Sequence, residues 1–137
     1  MKSPFLVSLF LLLSIGLSAQ NDDLQAIEAV LSDYMIGGQQ RDGDRIASAF
    51  HEQAMMKYLR NGEYAEVNAK EFFGGAKPGA PLERTNEIVM IDVSGYAAMA
   101  KIRLTYADKE FIDYMTLMKV DGEWTIVNKV PYLKRFD

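Results

Sequence analysis

Apolar side chains in the first third of the chain recur every three or four residues. They are Leu24, Ile27, Leu31 and Tyr34. This spacing places them on one face of an α-helix. Asp22, with Gln25 three residues later, is suited to capping the start of that helix. The sequence therefore predicts a first helix that begins near Asp22 and is weakened at its end by Gly37 and Gly38.

A second, shorter helix is predicted directly after the first. Asp42 or Asp44 can cap its first turn. Its apolar face consists of Ile46, Ala49 and Phe50. His51, the single histidine, falls at its end, where it can cap free carbonyl groups and complement the helix dipole. A catalytic role is the alternative, but the adjacent Glu52 cannot face the His51 ring to orient it.

The rest of the chain carries the turn signals and alternation of β-strands. Asn61-Gly62, Ser94-Gly95 and Asp121-Gly122 are two-residue turn sequences. Asn68 can cap a short helical turn between the first hairpin and the later strands. The predicted strands are 56–60, 63–67, 87–93, 96–106, 111–120 and 123–132. Helices followed by a run of antiparallel strands indicate an α+β fold.

The last turn fixes which residues of the final two strands share a face. Counting from it, Asn128 lies opposite Met115, and Asp113 lies on the same inner face. Lys129 is predicted to lie opposite Tyr114, on the outer face.

Six residues are candidates for the lining of a ligand pocket: Tyr34, Tyr58, Tyr106, Asp113, Met115 and Asn128. Ligand sites are mostly apolar with a few convergent polar groups. An aspartate on an apolar face needs a partner for its charge. Asp113 therefore either belongs to the pocket or forms an ion pair with Lys129 or Arg103 at a strand end. Tyr34 is alternatively a core aromatic, and Asn128 a bridge between strands.

Composition narrows the chemistry. The chain has no cysteine and one histidine, which excludes a thiol nucleophile, cysteine-ligated zinc and a multi-histidine metal site. The net charge is −4, without a basic stripe, so a nucleic-acid partner is not expected. The sequence contains neither a phosphate loop nor a dinucleotide fingerprint. Neither a metal nor a cofactor is therefore expected.

Residues 1–19 have the organisation of an export signal peptide. Lys2 supplies the positive start, residues 5–17 the apolar core, and Ala19 a small residue suited to cleavage. This core is shorter than the ~20 residues that span a bilayer, so stable membrane insertion after cleavage is not expected; an uncleaved anchor is the alternative. Residues 20–137 then form one domain, in the periplasm or outside the cell.

Two stretches resemble nuclear-transport-factor-2-like domains. Residues 24–50, with Tyr34 and the run Gly43 to Ile46, resemble their helical opening, and residues 113–129 resemble their terminal hairpin. Within that superfamily, the chain is most similar to the bacterial subgroup called putative lumazine-binding proteins. The resemblance covers the chain after residue 19. It implies a cone-shaped fold, with a curved antiparallel sheet wrapped around N-terminal helices and often a pocket inside.

The resemblance leaves several functions open, because this fold carries isomerases, dehydratases, cyclases and non-enzymatic binding domains. The ketosteroid isomerases it includes use a tyrosine on the first helix, a carboxylate base after the second, and a protonated aspartic acid on a later strand. Tyr34 and Asp113 match the first and third of these. Tyr58 stands at the position of the base, and a carbon-bound proton is not removed without one. Ketosteroid isomerase chemistry is therefore not expected.

The sequence thus predicts an exported protein that binds a small, partly apolar molecule. A hydratase-, dehydratase- or isomerase-like enzyme using the same pocket is one alternative. A homodimeric protein-interaction module is another. The predicted outer sheet face carries four apolar residues, Met90, Met99, Met118 and Val127. Burial of such a patch favours a homodimer formed through the sheet.

Overall fold

The computed structural model describes the backbone of residues 5–137 and the side chains of residue 16 and residues 18–137. The side chains of the predicted export signal at residues 1–19 lie largely outside the described residues, and export stays a prediction. Among the helices that can be described, none is both long and apolar enough to cross a membrane. Among the described side chains, every buried one belongs to Ile27 or a later residue.

The predicted α+β class is confirmed, with helices at the start of the chain and one sheet. The elements are α1 (Phe5–Gln40), α2 (Gly43–Ser48), β1 (Phe50–Arg60), β2 (Glu63–Asn68), α3 (Ala69–Gly74), β3 (Thr85–Ser94), β4 (Ala97–Thr105), β5 (Lys109–Val120) and β6 (Glu123–Arg135). Asn68 caps α3 as expected, since its side chain accepts a hydrogen bond from the backbone N–H of Glu71 at 3.0 Å.

The six strands form one curved, open sheet in the order β2-β1-β6-β5-β4-β3. Neighbouring strands are antiparallel except β1 and β6, which run parallel. The curved sheet expected from the resemblance is therefore present, with one parallel pair in it. Within the sheet, β6 is the strand that joins the β1-β2 hairpin to the meander of β3 to β5.

The core lies between α1 and the inner face of the sheet. Ile27 and Leu31 of α1 are fully buried. On the sheet, the core consists of buried side chains at alternate positions of the central strands: Ala98, Ala100, Ile102, Leu104, Met115, Leu117 and Ile126. At the hairpin end of the sheet, the Trp124 indole and the Lys119 ammonium group both donate to Asp23 of α1, each at 2.9 Å. These two hydrogen bonds hold α1 to the sheet, and they lower the pKa of Asp23 because they favour its ionised form.

The first helix is longer than the sequence predicted. Asp22 lies inside α1 and not at its start, because no glycine or proline interrupts the chain just before it. At the other end, α1 continues through Gly37 and Gly38 to Gln40. A Cβ atom added to Gly37 would lie 3.0 Å from the backbone nitrogen of Ile46. These glycines therefore serve close packing, which offsets their poor helix propensity.

His51 does not cap a helix, so that prediction is wrong. The second helix ends at Ser48, and the chain enters β1 at Phe50. On this strand, Nδ1 of His51 accepts a hydrogen bond from the backbone N–H of Gln53 at 3.1 Å. The apolar residues Ala49 and Phe50 are buried as expected, but they join the core from the helix end and the strand.

Two of the three predicted turns have the expected conformation. In both, the two turn residues have positive φ: 54° and 83° at Asn61-Gly62, and 51° and 82° at Asp121-Gly122. The third turn is displaced by one residue, because Ser94 pairs with Ala97 and leaves Gly95 and Tyr96 in the turn. Between Met90 and Val93 each cross-strand partner thereby moves by two residues, and a β-bulge at Val89 changes the register beyond them. The inner face of β4 stays as predicted.

The outer face of the sheet exposes three of the four apolar side chains that the sequence assigned to it, and the fourth, Val127, is half-buried. Met90, Met99 and Met118 are 44%, 38% and 36% exposed. A homodimer formed through this face stays a prediction.

The close contact between α2 and α3 gives a stability prediction. A Cβ atom on Gly43 would lie 2.6 Å from the carbonyl oxygen of Gly74, a backbone atom that cannot rotate away. We expect Gly43→Ala to lower the free energy of unfolding by about 1–3 kcal/mol, the usual cost of overpacking, although alanine is the better helix former. Urea denaturation measures this change.

Gly74→Ala is the matched control. A Cβ atom there would meet the Ala47 methyl group at 3.4 Å, an ordinary contact. We expect this variant to stay within about 0.5 kcal/mol of the wild type. Equal effects of the two substitutions would contradict the close approach of α2 and α3.

Candidate functional site

A cavity of about 1200 Å³ opens on the inner side of the sheet, at the end away from the β5-β6 turn. Most of its wall is aromatic or aliphatic. The residues lining it are Tyr34, Met56, Lys57, Tyr58, Leu59, Tyr64, Phe72, Phe73, Arg84, Leu104, Tyr106, Phe111, Asp113, Tyr114, Lys129, Val130, Pro131, Tyr132 and Leu133. An apolar wall with a few polar groups is typical of a small-molecule site.

The centre of the cavity wall is a buried cluster around Asp113. The Asp113 carboxylate is fully buried. Its Oδ2 atom accepts a hydrogen bond from the Tyr34 hydroxyl at 2.7 Å, and its Oδ1 atom accepts one from the Lys129 ammonium group at 2.8 Å. Tyr34 and Lys129 are themselves only 5% and 4% exposed. The Lys129 ion pair that the sequence offered as one alternative is therefore present, and it lies inside the protein.

A β-bulge in β6 brings Lys129 to this position. Leu117 of β5 pairs with Ile126 of β6. The residue before it, Thr116, pairs with Asn128 and not with Val127, so Val127 is the extra residue of a bulge. Beyond the bulge every side chain of β6 points to the face opposite to the one that uniform alternation predicts. Lys129 therefore lies opposite Met115, on the inner face.

Two of the six pocket candidates, Asn128 and Met115, do not line the cavity. Asn128 lies opposite the exposed Thr116 and does not line the cavity, so its predicted pairing with Met115 is wrong. Met115 is on the inner face as predicted, but it is 2% exposed and belongs to the core. The four others, Tyr34, Tyr58, Tyr106 and Asp113, do line the cavity.

Aromatic rings surround the ion pair. The Lys129 ammonium group lies 5.8 Å from the centre of the Tyr34 ring and 5.6 Å from that of Phe73. Tyr34 also meets Phe50 and Phe73 edge-on, with ring centres 5.7 Å apart in both cases. Cation–π attraction supplements the ion pair where water is scarce. The packed rings fix the positions of the Tyr34 hydroxyl and the lysine head.

Burial shifts the pKa values of both donors. The pKa of Tyr34 is raised well above 10.0, first because burial disfavours the phenolate and then because Asp113 is negative and accepts a hydrogen bond from the Tyr34 hydroxyl. The pKa of Lys129 is lowered, mainly because burial disfavours the ammonium form, while Asp113 opposes that change. The Tyr34 hydroxyl therefore keeps its proton at neutral pH and acts as a hydrogen-bond donor.

A second polar group enters the cavity from the segment before β3. The Arg84 guanidinium group donates to the Tyr106 hydroxyl at 2.7 Å, to the Met35 carbonyl at 2.7 Å and to Asn86 Oδ1 at 2.9 Å. It also lies over the Tyr106 ring, 5.6 Å from its centre. Tyr58, on β1, has a separate partner, since its hydroxyl accepts from Arg60 at 2.8 Å.

Sequence reasoning did not place Lys129 or Arg84 in the cavity. The β6 bulge has no turn residue to mark it, since Val127 and Asn128 fit a regular strand. Arg84 lies in a loop, where side-chain direction has no periodicity. The signal that could have identified Lys129 was the buried Asp113, which requires a cation beside it. In the described part of the chain, no three His, Cys, Asp or Glu side chains are grouped to hold a metal ion.

The buried ion pair leads to a prediction about stability. Removing one partner leaves the other charge uncompensated in the core, which costs about 3–5 kcal/mol. We expect Lys129→Met and Asp113→Asn each to lower the free energy of unfolding by about that amount. The double variant removes both charges and keeps an acceptor for Tyr34, so we expect it to be more stable than either single variant. Urea denaturation of all four proteins measures the coupling.

Arg103→Met is the control for loss of a charge. Arg103 forms an ion pair with Glu87 at 2.9 Å on the exposed side of the sheet. Because exposed pairs contribute little, we expect a loss of about 1 kcal/mol or less. Additive effects of the Asp113 and Lys129 substitutions would show that the two charges do not stabilise one another.

Solved structures share this fold. An NTF2-like protein of unknown function from Shewanella baltica OS155 is 29% identical, with a TM-score of 0.75, and the match covers 82% of this chain and 94% of that one. A protein of unknown function with a cystatin-like fold from Nostoc punctiforme PCC 73102 is 12% identical, with a TM-score of 0.66 and coverage of 82% and 91%.

A third similar structure is a putative scytalone dehydratase from Novosphingobium aromaticivorans DSM 12444. It is 19% identical, with a TM-score of 0.62, and the match covers 85% of this chain and 87% of that one. At this identity the likeness concerns the fold. No curated protein matches the sequence of the chain.

The fold neighbours and a family model agree on where the chain belongs. The model described as "Putative lumazine-binding" matches residues 22–132. This range contains α2, α3, nearly all of the sheet, and every residue of the Asp113 cluster. The chain therefore belongs to the putative lumazine-binding family, within the NTF2-like superfamily.

Proposed function

We propose that the protein is exported and binds a small, partly apolar molecule in the cavity beside Asp113. The observation that carries this proposal is the cavity itself: about 1200 Å³ of space with a largely apolar wall, bounded by a cluster whose polar atoms are already paired. A wall of this kind holds its shape without a ligand, so a ligand meets a pre-formed site. The description of the family, "Putative lumazine-binding", also names a small molecule as the ligand.

The state of Asp113 supports binding over isomerase chemistry. Both of its carboxylate oxygens accept hydrogen bonds from the protein. The isomerase acid is neutral and donates a hydrogen bond to the ligand, whereas both oxygens of Asp113 accept hydrogen bonds from side chains of the protein. At the position of the missing base, the Tyr58 hydroxyl is tied to Arg60. The groups that the isomerase mechanism needs are therefore engaged or absent.

An enzyme of the hydratase, dehydratase or isomerase kind is the second candidate. The observation that favours it is the hydrogen-bonded cluster of Tyr34, Asp113 and Lys129, because all three line the cavity and two have shifted pKa values. Such clusters are common at catalytic sites, and structural ion pairs also produce them. Turnover by the wild type that Asp113→Asn abolishes, with binding retained, would favour this candidate.

Binding in the cavity can be tested with the neutral fluorophore N-phenyl-1-naphthylamine, whose emission rises in an apolar site. Leu133 lines the cavity and is 39% exposed, so a larger side chain there narrows the site without overfilling the core. We expect the wild type to bind the fluorophore and Leu133→Trp to bind it about tenfold more weakly, a change of ~1.4 kcal/mol. A fluorescence titration measures both affinities.

Val89→Trp is the matched control. Val89 is 37% exposed and does not line the cavity, so the same added bulk should leave the affinity unchanged. Absence of binding by the wild type, or equal weakening by both substitutions, would contradict a ligand site in this cavity. Pteridine-2,4-dione, the parent lumazine, can then be tested by its ability to displace the fluorophore.

Export predicts a defined N-terminus. Cleavage after Ala19 would leave Asp23 and Ile27, the first buried residue among the described side chains, in the mature chain. We therefore expect the mature protein to fold, and its intact mass after purification from the cell envelope or medium to correspond to a start at Gln20 or Asn21. Protein that retains Met1 in a membrane fraction would contradict cleavage. Ala19→Arg, which removes the small residue at the cleavage site, should leave the precursor uncut.

A further inference from the structure

The lining of the cavity is positive, although the chain as a whole is negative. The net charge of the chain is −4. Four charged side chains line the cavity, and three of them are cations: Lys57, Arg84 and Lys129. The one carboxylate, Asp113, is already paired with Lys129 at 2.8 Å. The charge on Arg84 is therefore not balanced by the wall.

Arg84 also lacks an acidic partner outside the cavity wall. Its three hydrogen bonds go to neutral acceptors: an amide oxygen, a backbone carbonyl and a hydroxyl group. No carboxylate oxygen of the described residues lies within 4.0 Å of its nitrogens. A half-buried guanidinium group against an apolar wall is costly without a counter-charge. A ligand that carries a negative charge would supply it.

Neighbouring side chains hold Arg84 in position. Gln39 donates to the backbone carbonyl of Arg84 at 3.0 Å and accepts from Asn86 at 2.8 Å, and Asn86 in turn holds the guanidinium group. Gly38 leaves room for it, because a Cβ atom there would lie 2.8 Å from Nη2 of Arg84. The chain therefore fixes the guanidinium group in place, which is the condition for strong binding of a charged group.

Tyr106 adds a second donor beside Arg84. Its hydroxyl oxygen accepts the hydrogen bond from Arg84, so its own proton is directed elsewhere. In the described part of the chain that proton has no acceptor, and Tyr106 lines the cavity. The guanidinium group and this hydroxyl together form a site for an anionic oxygen.

We propose that the ligand is an organic acid with an apolar, ring-containing body, whose carboxylate binds Arg84 and Tyr106. This inference rests on the proposed function and names the class of molecule that the same cavity takes. A carboxylate fits because one guanidinium group balances its single charge and matches its planar geometry. The ring body lies against the aromatic wall around Phe73 and Phe111. The Asp113 cluster bounds the cavity and does not hold the carboxylate, because its own cation is paired.

The test compares two probes of the same shape, 2-naphthoate and 2-naphthamide, at pH 7. The first carries a carboxylate, and the second replaces it with a neutral amide. We expect the wild type to bind the carboxylate about tenfold more tightly or better, as a charge-assisted pair does. Arg84→Met should remove this preference by weakening the carboxylate and leaving the amide unchanged. Isothermal titration calorimetry measures each affinity.

Arg103→Met is the matched control, because it removes the same charge from the exposed side of the sheet, where Arg103 pairs with Glu87. It should keep the full preference for the carboxylate. Unchanged amide binding by Arg84→Met serves as evidence that this variant is folded. If it does not fold, Tyr106→Phe takes its place, since it keeps the ring and removes one donor, and it should weaken only the carboxylate.

Three results would overturn the inference. Equal affinity of the wild type for both probes would show that the cavity does not select an anion, while the proposed function would stand. A preference that survives both Arg84→Met and Tyr106→Phe would place the anion elsewhere. Failure of both naphthalene probes and of the neutral fluorophore would overturn the inference together with the proposed function.

Discussion

The packing of the first helix on the sheet depends on a buried carboxylate, that of Asp113. An ionised group inside a protein must be fully paired, and here the pairing draws on three separate elements: α1 supplies Tyr34, β5 supplies Asp113 and β6 supplies Lys129. The Tyr34 hydroxyl reaches Asp113 only when α1 has one position along the sheet and one rotation about its own axis. A hydrophobic contact tolerates sliding, whereas this cluster does not. The hydrogen bond from Tyr34 to this ion pair thus fixes how α1 docks on the sheet.

The same docking explains why the protein contains a cavity. At the hairpin end of the sheet, α1 packs closely, since Asp23 reaches Trp124 and the small residues Ala98 and Ala100 face the helix. Beyond Tyr34, the strands continue further than the helices cover them. The aromatic residues of α3 close only part of this end. The uncovered length of sheet becomes the wall of the cavity, and the Asp113 cluster marks the boundary between packed core and open space.

The sequence predicted the features that depend on neighbouring residues. The turns at Asn61-Gly62 and Asp121-Gly122, the Asn68 cap and the inner position of Asp113 all follow from local signals. The position of Lys129 could not be predicted in this way, because one extra residue at Val127 reverses every later side chain of β6. Arg84 was missed for a different reason: its direction is set by glutamine and glycine on a distant helix. The positions of Lys129 and Arg84 depend on contacts between residues that are far apart in the chain, and local sequence patterns do not predict such contacts.

The place of β6 in the sheet has a consequence for how the protein is made. This strand is the last in the chain but the third in the sheet, and the β1-β2 hairpin joins the other strands only through it. A ribosome-bound chain that lacks β6 therefore has two unconnected pieces of sheet and no partner for Asp113. Such long-range pairing folds late and slowly. We therefore expect the sheet to be completed only after synthesis has passed residue 135, when β6 can pair with both β1 and β5.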